Sequence, residues 1–148
     1  MTDASTLQST TSLIDLDRTY LPVDQMRQIT RVTALEAAGI EAEVELGEDH
    51  WVWGQHFPGD PIFPGTLMIE AAGQLIALWA WSDGARGRPR LVRTSAEFHN
   101  PVDRWSPRLL LKGEIRRKRN LYFGKVEISV DEMSVATVEA VLVILAAT

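Results

Sequence analysis

Two side chains in this sequence are suited to moving protons at one centre: His56, set among glycines and prolines, and Glu70, set among apolar residues. The segment reads Trp53-Gly54-Gln55-His56-Phe57-Pro58-Gly59-Asp60-Pro61-Ile62-Phe63-Pro64-Gly65-Thr66-Leu67-Met68-Ile69-Glu70-Ala71-Ala72-Gly73-Gln74. Proline and glycine at this density make a stiff loop that presents His56 and ends at a helix N-terminus. On that helix an ionised Glu70 is poorly solvated by its apolar neighbours, so the protonated form is favoured. A protonated carboxyl gives a proton and a neutral histidine takes one. Gln74, four residues on, shares the Glu70 helix face and is placed to hydrogen-bond its carboxyl. The amides of Gly65 and Thr66, without intrahelical partners, polarise a carbonyl oxygen as charge develops on it. Base, acid and oxyanion donor suit abstraction of a proton alpha to a carbonyl with loss of a beta hydroxyl. Spacing alone does not bring the three together, within one subunit or between two.

These residues need a scaffold, and the pattern around them supplies one. From Phe63 to Trp81, apolar residues cover nearly every face of a helix, which must therefore be buried. Pro64-Gly65 starts it and Ser82-Asp83-Gly84 ends it. Ahead of the loop, Leu21 to Met26 reads as a short turn or single helical turn. Ile29, Val32 and Leu35, then the alternation from Ile40 to Leu46, read as a hairpin around Ala37-Ala38-Gly39. Beyond Pro89, strands are expected at Leu91 to Phe98, Leu109 to Arg117, Leu121 to Val130 and Val135 to Leu145. Arg119-Asn120 and Asp131-Glu132 supply turns. The simplest packing is α+β: a curved antiparallel sheet wrapped around one long buried central helix, with a second subunit covering what the sheet leaves open.

Length and composition fit one domain. A chain of 148 residues with 45% hydrophobic content holds one substantial core. Residues 1–15 read as a flexible arm and 16–148 as the domain. With no cysteine, disulfides, thiolate nucleophiles and Cys-ligated zinc are excluded. His50, His56 and His99 show no metal-ligand spacing, and no metal or cofactor is expected. A net charge of −5 argues against a general nucleic-acid binder. The start resembles no signal peptide, and the most apolar stretch is too short and too interrupted to span a membrane. A cytoplasmic protein without membrane insertion is expected.

His56 to Gly65 match throughout the His-Phe-x-Gly-x-Pro-x-x-Pro-Gly loop of the bacterial 3-hydroxyacyl-acyl carrier protein dehydratases, in which a helical carboxylate follows. The chain resembles that family, with weaker matches from Leu21-Pro22 to the last strands, including Phe98-His99-Asn100-Pro101-Val102. Asp49 to His56 with Gly59-Asp60-Pro61 resembles the branch that also isomerises the new double bond. Glu70 resembles the branch that only dehydrates, since the bifunctional enzymes usually carry aspartate there. The resemblance implies a hot-dog fold and a dimer, or a dimer-based higher oligomer. It implies that His56 of one subunit faces Glu70 of the other and that the acyl chain lies in an interface tunnel. It also implies a substrate tethered to acyl carrier protein, with dehydration to the trans-2-enoyl thioester in fatty acid or polyketide-type biosynthesis. His56 then takes the alpha proton, Glu70 serves the departing hydroxyl and the Gly65 amide binds the thioester carbonyl.

Each assignment has a plainer competitor. Glu70 can be a structural carboxyl paired with a sheet arginine such as Arg93, and Gln74 a polar residue satisfying core backbone. Trp79 and Trp81 read as core or interface packing. Trp51 and Trp53 alternate in strand fashion beside the loop, and Trp53, Phe57 and Phe63 are candidates to line the acyl tunnel. Arg86, Arg88 and Arg90 are solvated turn residues or a docking patch for acidic carrier protein. Arg116-Arg117-Lys118-Arg119 is expected to straddle a hairpin. The competing functions are a hot-dog thioesterase and a non-catalytic acyl-binding or partner subunit of a dehydratase.

Overall fold

A computed structural model describes residues 20–146; the expected arm, residues 1–15, lies outside the described residues. Six strands form one antiparallel sheet: β1 (Arg31–Glu36), β2 (Gly39–Glu45), β3 (Arg88–Phe98), β4 (Arg108–Lys118), β5 (Leu121–Val130) and β6 (Met133–Leu145), in the order β1-β2-β4-β5-β6-β3. Helix α1 (Gly65–Ser82) connects β2 to β3 and packs against five of the six strands. This is the hot-dog arrangement, a sheet curled around one central helix.

Local chemistry accounts for the turns. Asp131 and Glu132 both take positive φ, 49° and 56°, as a two-residue type I′ hairpin between β5 and β6 requires. Arg119, φ 61°, turns β4 into β5, so the basic run does straddle a hairpin. Its side chains are engaged locally: Arg117 lies 3.6 Å from Asp83, and Arg116 stacks over Phe123.

Alternation along β4 and β5 sends one set of side chains inward, including Leu109, Leu111, Ile115, Tyr122, Val126 and Ile128. They meet Leu75, Ile76 and Leu78 of α1 in the core. Gly113 and Gly124 allow that approach: a Cβ on Gly113 would stand 3.0 Å from Leu75 Cδ2, and one on Gly124 2.5 Å from Ile76 Cδ1. Trp79 and Trp81 are both buried, Trp79 donating from Nε1 to the Glu36 carbonyl at 3.2 Å.

Two expectations need correction. Trp51 and Trp53 lie on a 3₁₀ turn, Trp51–Gly54, rather than in a strand. The turn forms because His50 caps it, its Nδ1 accepting from the Val52 amide at 3.1 Å. The first half of α1 is also not wholly enclosed: Thr66 is exposed and Leu67, Ile69, Glu70 and Gly73 are half-buried, because the sheet covers only one side of those turns.

The His50 cap makes a pH prediction. Burial lowers the imidazole's affinity for protons below its ordinary value of 6.5. The neutral ring belongs to the folded state, so its contribution is complete above 6.5 and is lost as acid protonates the unfolded ring first. His50→Asn keeps a capping acceptor and removes the titration. Its melting temperature is expected to fall less steeply than that of the unmodified chain as pH is lowered below 6.5.

Candidate active site

The loop carrying His56 is closed on itself. Phe57 and Asp60 exchange backbone hydrogen bonds of 2.9 Å in both directions, and the Ile62 amide donates to the His56 carbonyl at 2.9 Å. The His56–Phe57 peptide is cis. On the side chain, His56 Nδ1 stands 3.1 Å from the Ile62 carbonyl oxygen. A carbonyl only accepts, so Nδ1 is the donor, and in the neutral ring the lone pair then lies on Nε2. A half-buried histidine in that tautomer is a competent base. Phe57, half exposed, stacks on the imidazole with ring centroids 4.0 Å apart.

Among the described residues Glu70 is held by one neighbour. Gln74 Nε2 donates to Glu70 Oε2 at 3.1 Å and to the Met26 carbonyl at 2.8 Å. Gln74 Oε1 accepts from the amides of Gln28 and Ile29 at 2.8 and 3.3 Å. Both of its competing roles are therefore met by one side chain. The backbone fixes the amide orientation, and the remaining N–H fixes the carboxyl. Arg93 is not a partner of Glu70; it lines a different cavity, on the outer face of the sheet.

Gln74→Leu is expected to leave the Gln28 and Ile29 amides and the Met26 carbonyl unpaired, costing roughly 2–4 kcal/mol. A lower urea midpoint, with turnover of the folded fraction reduced roughly tenfold, is the expected outcome.

Gly65 and Thr66 open α1 behind Pro64, whose side chain provides no cap, and among the described residues neither amide has an acceptor. Their N–H groups face outward at the positive end of the helix dipole. From there a groove of about 590 Å³ follows the helix face past Thr66, Glu70, Gly73 and Ala77 to Trp81 and Arg90, with Leu91 and Leu142 on its flank. Glu70 and Gln74 are in this groove and His56 is not.

A sequence model of the FabA-like domain matches residues 21–139. The chain belongs to the FabA-like domain family. Among solved structures, this FabA-like chain is similar to the dehydratase heterocomplex ApeI:P from Xenorhabdus doucetiae. That match has a TM-score of 0.73 and 16% identity, and it covers 88% of this chain and 90% of the other. AziG from S. sahachiroi gives a TM-score of 0.61 and 19% identity over 78% of this chain and 90% of that one. A thioesterase from Haemophilus influenzae gives 0.62 and 17% over 78% and 77%. At such identities these likenesses establish the fold alone.

The remaining candidates separate. Trp53 and Phe63 are buried in the core, and neither lines the Glu70 groove or the cavity beside Arg93. Trp53 Nε1 donates to the Gly47 carbonyl. Arg86 and Arg90 donate to nearby carbonyls, of Trp81 and Ala85 and of Pro89, and Arg88 to that of Ala146. Among the described residues none of the three is neutralised by a carboxylate. Sequence reasoning missed the segment Met26 to Ile29, which acts on Gln74 through backbone groups and so leaves no side-chain signal. Among the described residues no helix is long and apolar enough to cross a membrane.

Proposed function

We propose that this FabA-like domain removes water from a 3-hydroxyacyl thioester, held on acyl carrier protein, to leave the trans-2-enoyl thioester. The observation that carries the reading is the 3.1 Å contact between His56 Nδ1 and the Ile62 carbonyl: with Nδ1 as the donor there, Nε2 of the neutral ring is the base that alpha-proton abstraction needs. Nε2 takes the alpha proton, and the electron pair moves toward the thioester oxygen, where the Gly65 and Thr66 amides meet the charge. The carbon–oxygen bond to the beta hydroxyl then breaks as Glu70 gives its proton, and water departs. The imidazolium proton returns to the Glu70 carboxylate through solvent, which resets the pair.

The axial order along α1 fits this substrate. The Gly65 and Thr66 amides come first, for the carbonyl oxygen; Glu70 is next, for the hydroxyl two carbons on; Gly73 and Ala77 follow, for the chain, with Leu142 of β6 also lining the groove. That order puts Arg90 beside the end of the chain, and argues against a carrier docked on Arg86, Arg88 and Arg90 of the same subunit.

The active unit is a homodimer in this reading. β3 is one of the two sheet edges, and its Leu91 and Val92 are 52% and 58% exposed, an apolar edge left unpaired in the single chain. Arg90 and Leu91 of that strand also border the Glu70 groove, so a chain pairing with β3 lies beside Glu70 and can bring its own His56 there. A thioesterase would use Glu70 to activate water and leave the His56 loop without a task. Incubation with 3-hydroxyacyl-carrier protein tests the choice: rising enoyl-thioester absorbance without free thiol supports dehydration, and free thiol without the enoyl product overturns it.

A further inference from the structure

We propose that Phe98 is a positioning residue for the oxyanion amide of Gly65. The inference rests on the thioester carbonyl binding at that amide, as proposed above. A Cβ built on Gly65 would stand 2.7 and 2.8 Å from Cζ and Cε1 of Phe98 and 3.2 Å from Cε2. The tip of the ring therefore fills the space that a side chain at position 65 would need, and an alanine there would force the ring aside.

Within the single chain, core packing does not account for this phenylalanine. It is 51% exposed and stands outside the hydrophobic core. The backbone that carries it is nonetheless fixed from both sides. Phe98 is the last residue of β3 and pairs with Ala136 of β6. Directly after it, the His99 amide donates to the Val135 carbonyl at 2.8 Å and Asn100 Nδ2 to the Ser134 carbonyl at 2.7 Å. A few residues on, the Val102 carbonyl accepts from the Phe63 amide at 2.8 Å, and Asp103 bridges to Ile62. The end of β3 is thus stitched to the loop that leads into Gly65.

A glycine in the first turn of a helix has no side chain of its own to hold it, and its amide direction is loosely set. The ring supplies the missing restraint.

The test compares Phe98→Ala, Phe98→Leu, Gly65→Ala and the Phe98→Ala/Gly65→Ala pair. Two readouts are used: turnover of a 3-hydroxyacyl-pantetheine, and the infrared carbonyl band of a bound saturated acyl-pantetheine, which has no hydroxyl to lose. Phe98→Ala is expected to lower kcat roughly 10- to 100-fold with KM changed by no more than about twofold. Its bound carbonyl band should move toward the frequency of the free thioester, and Phe98→Leu should recover most of both effects. Gly65→Ala should cost about as much alone and add little to Phe98→Ala, as expected of two residues acting through one contact. An unmoved carbonyl band in a folded Phe98→Ala protein overturns the proposal, as do single effects that simply multiply in the double variant. The two readings fail separately. If the unmodified protein loses no water from its substrate while the band still depends on Phe98, the dehydratase reading falls and the positioning role stands.

Discussion

Replacing His56 with alanine is expected to lower water loss by roughly 10³-fold while leaving the fold and the oligomer as they are. Both parts follow from the geometry. The imidazole contributes one side-chain hydrogen bond, to Ile62, within a loop whose closure depends on backbone bonds among His56, Phe57, Asp60 and Ile62. Those bonds survive the substitution, so melting temperature and the mass of the assembly should be unchanged. The lost Nε2 is the base in the proposed reaction, and among the described residues no histidine lines the Glu70 groove to replace it. Steady-state turnover within about tenfold of the unmodified enzyme would remove His56 from the mechanism.

Glu70→Gln should be nearly as severe, roughly 10²–10³-fold in kcat, because the amide has no acidic proton for the departing hydroxyl. It can still accept the Gln74 hydrogen bond, so folding is little affected. The two variants together test how the site is shared. If His56 and Glu70 of different subunits form each centre, a His56→Ala subunit paired with a Glu70→Gln subunit holds one intact centre and one doubly damaged one. After subunit exchange, mixing equal amounts should restore about a quarter of full activity, since half the dimers are mixed and half their sites are whole. Exchanged mixtures no more active than their parents would place both residues of a centre in one subunit.

Much of the scaffold is legible in the sequence because its signals are local. The all-round apolar run from Leu67 to Trp81 gives a buried helix, and Pro64-Gly65 and Ser82-Asp83-Gly84 bound it to within a residue. Leu121 to Val130 forms a strand as read, and the turns at Arg119-Asn120 and Asp131-Glu132 are where their residue types put them. Strand starts are less legible. β3 begins at Arg88 rather than Leu91 and β6 at Met133 rather than Val135, because pairing with a neighbouring strand extends regular backbone past the apolar core.

Within the candidate site, His56, Glu70 and Gln74 are legible because their types are unusual for their settings. The hydrogen bonds of Gln74 with Met26, Gln28 and Ile29 span 45–48 residues and involve main-chain groups that every residue has, so no pattern announces them. The press of Phe98 on Gly65 is equally silent, since it depends on where β3 ends relative to the start of α1. The half-exposed state of Glu70 was hidden for a related reason: an apolar run marks a helix for burial without saying which of its faces the sheet covers.

The most direct test of the central claim is mass spectrometry of the purified protein incubated with 3-hydroxyacyl-carrier protein, and separately with the coenzyme A thioester. The mass of the intact acyl thioester is followed in each. Loss of one water from the intact thioester, present with the unmodified protein and absent with His56→Ala, is the predicted result. No water loss across a range of chain lengths, or cleavage of the thioester in its place, would contradict it.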